Sequence, residues 1–360
     1  MATTRRKQPT LDDVAQAVGV SRATVSNAYN RPDQLSAELR SEVLRAASRL
    51  GYPGPDPVAR SLATKRADAI AFMLDTGLSA AFSDPALSIT LDALAAVVDA
   101  EGHALLLLPG GDHGGPRAQR VLSAQADLAV AYSLADGAPA LRAVRARGLP
   151  LVVIDQPVVS GSARVDVDDT GGAMAAARHL VELGHRQVGV LSAQCLSEPR
   201  NGPLSIAEAM DSRFRDNRDR LAGYLEILAS AGVPGKAVPV WETSGTSREQ
   251  AFHATVELLR SRPRLTALLC MSDELALAAL SAARHLGLRV PQDLSVVGFD
   301  DTPPARWAEP PLTTVRQDLV RKGTLAGELA LRLLAGRKPP KPLTLATELV
   351  VRESTAPPPR

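Results

Sequence analysis

An all-α helix-turn-helix domain at the N-terminus, followed by an α/β core of two doubly wound, parallel-sheet lobes, is the fold that the sequence predicts. Three observations carry the prediction. Apolar residues recur at helical spacing up to Tyr52; from Ala69 the texture changes to apolar strands alternating with helical stretches; and that alternation starts afresh after "VDVDDTGG". A chain of 360 residues is too long for one small core, and 45% hydrophobic with 22% charged residues describes a globular protein. The predicted divisions are 1–52 for the helical domain, 53–68 for a linker with a hinge helix, and 69–360 for the two-lobed part.

Thr10-Leu11-Asp12-Asp13 has the form of a capping box, Asp13 standing in for the usual Glu, so the first helix starts there. Leu11, Val14, Ala15 and Val18 give it one apolar face, and Gly19 breaks it. Val20 offers the turn one buried side chain. Ser21 caps the second helix, "SRATVSNAYN", which gives a core only Val25, Ala28 and Tyr29. A third helix follows Ser36, burying Leu39, Val43, Ala46 and Leu50, and stops at Gly51. Two short helices about a tight turn, backed by a third, make a helix-turn-helix unit. In "YPGPDPVARSLATKR" three prolines within five residues forbid a helix through 53–57. Asp56 with Pro57 can then start a very short helix, Val58 to Ala63, which does not hold in water without a partner.

Beyond it, "AIAFML", "HALLLL", "LAVAY" and "LVVI" read as buried parallel strands, each followed by a helical stretch, and "QVGVL", "AVPVW", "TALLCM" and "LSVVGF" repeat the pattern. Two such repeats predict two lobes with a cleft at the carboxyl ends of their strands. A helix over about Leu319–Leu334 and a strand near "TELVVRE" close the chain.

Charge is uneven. Residues 1–66 carry 11 Lys/Arg against 6 Asp/Glu and the remainder 30 against 33, the layout expected when only one end meets a polyanion. Cys195 and Cys270 make no disulfide framework. "MATTRRKQPT" has no apolar stretch after its basic run, and no segment approaches the ~18 apolar residues of a membrane span, so the expected location is the cytoplasm, with no membrane partner. No P-loop or G-x-G-x-x-G follows a strand, and His179 and His185 lack the H-E-x-x-H spacing of a zinc site. The chain is read as a non-enzyme without cofactor or metal.

In a helix-turn-helix the second helix lies in the major groove. Ser21, at its cap, can offer its hydroxyl and the helix N–H groups to a phosphate. Arg22, Ala23 and Asn27 face solvent and are free to meet bases: Arg pairs with guanine, Asn with adenine, and Ala touches a thymine methyl. The bland alternative is the solvated surface of a structural hairpin. In the core, Asp155 ends "LVVID", Arg220 precedes "LAGY", and Asp273 follows "TALLCM". Two carboxylates and an arginine at strand ends suit a polyhydroxy ligand through charge-assisted bonds. Their alternatives are interlobe salt bridges or, for Asp273, a helix cap. Phe82 in "FSDP" is a candidate cleft wall, whereas Trp241 and Trp307 read as packing or rim residues.

The ordered blocks "TLDDVAQAVGVSRATVSNAYN", "LRSEVLRAASRLGY", "PVARSLAT", "HLVELGHRQVGVL", "RLAGYLEILASAGV", "TALLCMSDELALAAL", "DLSVVGFDD" and "PPLTTVRQD" closely resemble the lac repressor/galactose repressor family of transcription regulators, from about Thr10 to Glu353. The resemblance implies a periplasmic-binding-protein-like core whose lobes are joined by three crossovers. Lobe 1 would comprise about 69–168 and 298–318, and lobe 2 about 169–297 and 319–355. It implies sequence reading by Arg22, Ala23 and Asn27, with mainly phosphate contacts from Thr10, Ser21, Thr24, Ser26 and Asn30. Leu62 would wedge into the minor groove, Ala59 would let the hinge helix approach it, and Val58 would meet its partner across the dimer axis. Asp155, Arg220 and Asp273 match effector contacts. One departure is that "PGPDP" is a residue longer than the family pattern, which bears on the angle between head and hinge and on half-site spacing. Leu319 stands where some members carry Phe, and no tryptophan aligns with the usual stacking position, so the effector need not be a sugar.

The function so implied is a homodimeric repressor of a palindromic operator in double-stranded DNA, controlled by a small molecule, a sugar or related metabolite, between the lobes. One alternative is a ligand receptor of the periplasmic sugar-binding type, which predicts an export signal and no reading head. Another is a corepressor-dependent regulator answering to a non-sugar metabolite. The tail "STAPPPR" has no heptads, so a tetramer built like that of the lac repressor is not expected.

Overall fold

The computed structural model describes residues 9–56, 61, 64, 66–110, 117–198, 200–243 and 248–359. The chain divides into two units, residues 1–67 and 68–360. In the first, α1 (Leu11–Val18), α2 (Arg22–Asn30) and α3 (Ala37–Leu50) enclose a core of Val14, Ala15, Val25, Ala28, Val43, Ala46 and Ala47. Each helix opens on a hydroxyl cap, from Thr10, Ser21 and Ser36, which satisfies backbone N–H groups left without a partner in the first turn. α1 ends at Gly19 with φ 73°, a left-handed cap that a side chain resists. The face of α3 departs from expectation at its end, where Leu50 is 40% exposed and Ala47 is buried instead. The hinge positions Val58, Ala59 and Leu62 lie outside the described residues.

The second unit, among the described residues, holds two sheets. β1 (Ala69–Leu74), β2 (Ala104–Leu108), β3 (Leu128–Tyr132), β4 (Leu151–Ile154), β5 (Ala163–Val167) and β12 (Leu343–Leu345) run in the order β12-β5-β4-β3-β1-β2, every neighbouring pair parallel. β6 (Val188–Ser192), β7 (Gly202–Leu204), β8 (Val240–Glu242), β9 (Ala267–Cys270), β10 (Ser295–Asp300), β11 (Thr313–Arg316) and β13 (Glu348–Val350) run in the order β13-β11-β10-β9-β6-β8-β7. Only the outer pairs β11–β13 and β7–β8 of this second sheet are antiparallel. Helices cover the sheets, so inner strands such as β4 and β9 are buried along their whole length, which is why they read as unbroken apolar runs.

The chain passes between the lobes three times: from β5 into the helix Asp169–Glu182, from β11 into the helix Leu319–Leu334, and from β12 to β13. The assignment of 298–318 to lobe 1 and 319–355 to lobe 2 is therefore corrected. β10 and β11 pair within the second sheet, and Val296, Val297, Phe299 and Val315 enter its core. The helix Leu319–Leu334 instead buries Leu325, Ala326, Leu329, Ala330 and Leu333 in the first lobe, against the helix Pro85–Ala100. Gly323 makes that contact close: a Cβ there would sit 2.2 Å from the Thr90 carbonyl oxygen. The segment that reverses the expectation is an amphipathic helix whose apolar stripe does not name its lobe, so the pairing of its neighbours in the sheets decides where it packs.

Candidate reading head and ligand cleft

In the first unit the predicted reading face is open. Arg22 and Ala23 are exposed, while Asn27 is half-buried and donates from Nδ2 to Gln34 Oε1 at 3.3 Å. Arg22 pairs with Asp12 at 2.9 Å, with 72% and 57% of the two side chains exposed. Such surface pairs contribute only ~0–1 kcal/mol, so Arg22 can exchange Asp12 for another partner. The predicted phosphate contacts are tied to the helix itself. Ser21 Oγ accepts from Thr24 N–H at 3.1 Å and lies 2.9 Å from Thr24 Oγ1. Ser26 Oγ accepts from Asn30 Nδ2 at 3.2 Å. The capping box forms in full, Thr10 N–H and Oγ1 donating to Asp13 Oδ2 at 2.7 and 2.8 Å. Val25 and Ala28 point inward, Tyr29 is half-buried, and its ring meets Tyr52 edge-on at 6.1 Å.

In the second unit a cavity of about 380 Å³ lies at the carboxyl ends of strands from both sheets. Asp155, past β4, and Arg220, on the helix Arg215–Ser230, both line it. Asp155 is 7% exposed and bonds Lys322 Nζ at 2.9 Å; Lys322 is 1% exposed and also donates to Gln317 Oε1 at 2.7 Å. Arg220 donates from Nε to Asp169 Oδ1 at 2.8 Å and from Nη1 to the Met271 carbonyl, and its guanidinium lies 3.8 Å over the Phe299 ring. The nearby carboxylates of Asp169, Asp216 and Asp300 hold that guanidinium firmly protonated against burial.

Asp273 and Phe82 stand elsewhere. Asp273 is fully buried and does not line the cavity; its carboxylate accepts from the N–H and hydroxyl of Thr302 at 2.7 and 3.0 Å and from the Thr314 hydroxyl at 2.5 Å. Burial pushes this carboxyl up to about 7, against the pull of those donors. Nor is it the helix cap, which is Ser272 accepting from Leu275 N–H at 3.3 Å. Phe82 is 74% exposed and outside the lining, so it builds no cleft wall. Trp241 packs at 8% exposure and Trp307 stands out at 85%.

Several lining groups escaped the sequence reading: Asp84, Tyr132, Gln156, Phe214, Asp216 and Asp300. Position at a strand end was the available signal for Asp300, and Gln156 follows Asp155 directly. Backbone strain marks the same rim: Ser133, Asp155 and Asp300 have φ 45°, 64° and 124°, conformations costing ~1–3 kcal/mol that cluster at functional sites. Glu242, 0% exposed, accepts from the N–H groups of Cys195, Leu196 and Arg200 at 2.6, 2.8 and 2.7 Å, fixing the loop whose Ala193 and Gln194 face the cavity. The lobes are also bridged directly. Arg218 bonds Asp136 at 2.9 Å, Arg213 donates to the Asp136 carbonyl at 2.8 Å, and Arg215 bonds Asp166 at 3.0 Å. Among the described residues, no group of three or more His, Cys, Asp or Glu could hold a metal ion, and no helix is long and apolar enough to cross a membrane.

Residues 10–54 match the family described as bacterial regulatory proteins, lacI family, and residues 177–355 match the periplasmic binding protein-like domain. The chain is 41% identical to the HTH-type transcriptional regulator IpsA of Corynebacterium glutamicum, over 91% of this chain and 93% of that one. It is 41% identical to an HTH-type transcriptional regulator of Mycobacterium tuberculosis, over 99% of this chain and 100% of that one. Among solved structures, the lac repressor dimer bound to operator and the anti-inducer ONPF is 28% identical with a TM-score of 0.76, over 97% of this chain and 100% of that one.

Proposed function

This chain belongs to the lacI family of bacterial regulatory proteins, and from that premise we propose a division of labour between its two units. The protein is a sequence-specific DNA-binding transcriptional regulator, a repressor acting as a homodimer on double-stranded operator DNA, whose affinity a small molecule between the lobes controls. The observation that carries the reading is the presence, in one chain, of an open recognition helix and of a cavity enclosed by two lobes.

In our reading Arg22, Ala23 and Asn27 meet base edges in the major groove, and Thr10, Ser21, Thr24, Ser26 and Asn30 meet phosphates. Ala59 and Leu62 serve the minor groove at the centre of a palindrome. Asp155 and Arg220 hold the effector, joined by Lys322, Gln317 and Gln156 rather than by Asp273 or Phe82. A sugar or related polyol suits the hydrogen-bonding groups; the CelR regulator has been solved with cellobiose. The protein performs no catalytic step in this reading and works in the cytoplasm, where the operator is.

A ligand moves an equilibrium only by its different affinity for the two states. The bridges from Arg213, Arg215 and Arg218 to Asp136 and Asp166 must rearrange when the lobes rotate, so an effector that favours one arrangement changes operator affinity, and operator changes effector affinity by the same factor. The reading assignment is tested by Asn27→Ala in operator titrations against every base substitution in a half-site. The expected result is a loss of ~1–3 kcal/mol with relaxed choice at one base per half-site. Equal weakening on all sequences contradicts the role given to Asn27.

A further inference from the structure

The charges that line the cavity do not balance. Both of its cations are already engaged, Lys322 with Asp155 at 2.9 Å and Arg220 with Asp169 at 2.8 Å. Of the other lining aspartates, Asp84, Asp216 and Asp300 form no ion pair among the described residues. Their hydrogen bonds come from neutral donors and use one oxygen of each. Asp84 Oδ1 accepts from the N–H groups of Ala86 and Leu87 at 2.9 and 3.1 Å, Asp216 Oδ1 from Asn217 N–H at 2.8 Å, and Asp300 Oδ1 from Gln317 Nε2 at 2.5 Å. Arg220 attracts Asp216 and Asp300 only from beyond bonding distance. Burial raises all three carboxyls from their ordinary value, and a further negative charge beside them would raise them again, so an anionic ligand could enter only with protons taken up. One buried donor stands without a partner: Gln156 is 1% exposed, its Oε1 accepts from Asp216 N–H at 3.2 Å, and its Nε2 has no hydrogen-bond partner among the described residues.

A phosphate or carboxylate entering this cavity would face three carboxylates and find both cations taken. A hydroxyl group faces no such conflict, because it donates to a carboxylate and accepts from an amide N–H. Like charges brought together out of water are the stronger discriminator, since solvent no longer screens them. We infer that the cleft takes a free polyol and rejects its phosphorylated or carboxylated counterparts, with Asp84, Asp216 and Asp300 setting that choice and Gln156 Nε2 donating to a ligand oxygen. This rests on the proposed role of the cavity as the effector site. The regulator then senses a compound in its free form, before any phosphoryl transfer to one of its hydroxyls.

The test uses the full-length protein and a small-molecule extract of the cells that make it, separated on a strong anion exchanger into an unretained fraction and a retained, anionic one. Each fraction is assayed for a shift in Tm and for a change in operator binding. Both responses are expected from the unretained fraction. Responses confined to the retained fraction overturn the inference while leaving the effector reading intact; responses from neither overturn the effector reading, and the inference with it. A second arm uses Asp216→Asn and the double variant D84N/D216N. These are expected to respond at least tenfold more weakly to the unretained fraction and to gain response to ribose 5-phosphate relative to ribose. An unchanged ratio between those two probes in both variants overturns the assignment of these carboxylates.

Discussion

Arg22 and Arg220 are the same side chain in opposite settings. Among the described residues Arg22 pairs only with Asp12, and 72% of its side chain is in solvent. Arg220 is 9% exposed, bonded to Asp169 and the Met271 carbonyl, and stacked on Phe299. The first can leave its partner at a cost of ~0–1 kcal/mol, which leaves it free for the base contact we propose. The second cannot move without stranding a buried carboxylate, so in the role we propose for it Arg220 is fixed before a ligand arrives. The first unit leaves Arg22 loosely held on its surface, whereas the cleft builds Arg220 into the packing of two lobes.

If that contrast holds, the largest effect comes from the cleft. Lys322→Ala leaves Asp155 buried without its cation and is expected to cost ~3–5 kcal/mol in urea unfolding of the second unit. A loss below ~1 kcal/mol, the range of exposed pairs, breaks the comparison.

Asp273 sharpens it through pH. Burial raises its carboxyl to about 7, above its unfolded value, so the native state keeps a proton that the unfolded chain releases. Its contribution is therefore fully present below the unfolded value and lost as pH rises through about 7. The fall in Tm between pH 5 and pH 8 is expected to be smaller in Asp273→Asn than in the wild type. An equal or steeper fall in the variant contradicts the buried, proton-holding role.

The head offers the smallest effect. Thr10→Ala removes a capping box on an exposed helix end and is expected to destabilise the first unit by ~1 kcal/mol, read by hydrogen exchange of the α1 amides. Protection unchanged from wild type would mean that the cap contributes nothing there.

The same contrast decides what the sequence made legible. α1, α2, their caps and the inward Val25 and Ala28 follow from spacing within ten residues, because the caps are local and helical periodicity already marks the face that α3 covers. The two lobes were legible as alternating apolar runs. Which lobe takes Leu319–Leu334 was not, since strand pairing between β10, β11 and β12 and their distant partners settles it. In the cleft, Asp155 and Arg220 were found from strand and helix ends, yet the cation that answers Asp155 is Lys322, 167 residues away in sequence. Asp273 misled for the same reason: the fold turns its carboxylate toward Thr302 and Thr314 instead of the cavity.

The central claim, that the open face of α2 reads DNA in a ligand-controlled regulator, is tested most directly by footprinting the full-length protein on the DNA upstream of its own gene and its neighbours. The account predicts protection of a palindrome at about 50 mM salt that weakens steeply toward 200 mM, as phosphate contacts release their counterions. Absence of any salt-sensitive protection at the lower concentration would contradict it.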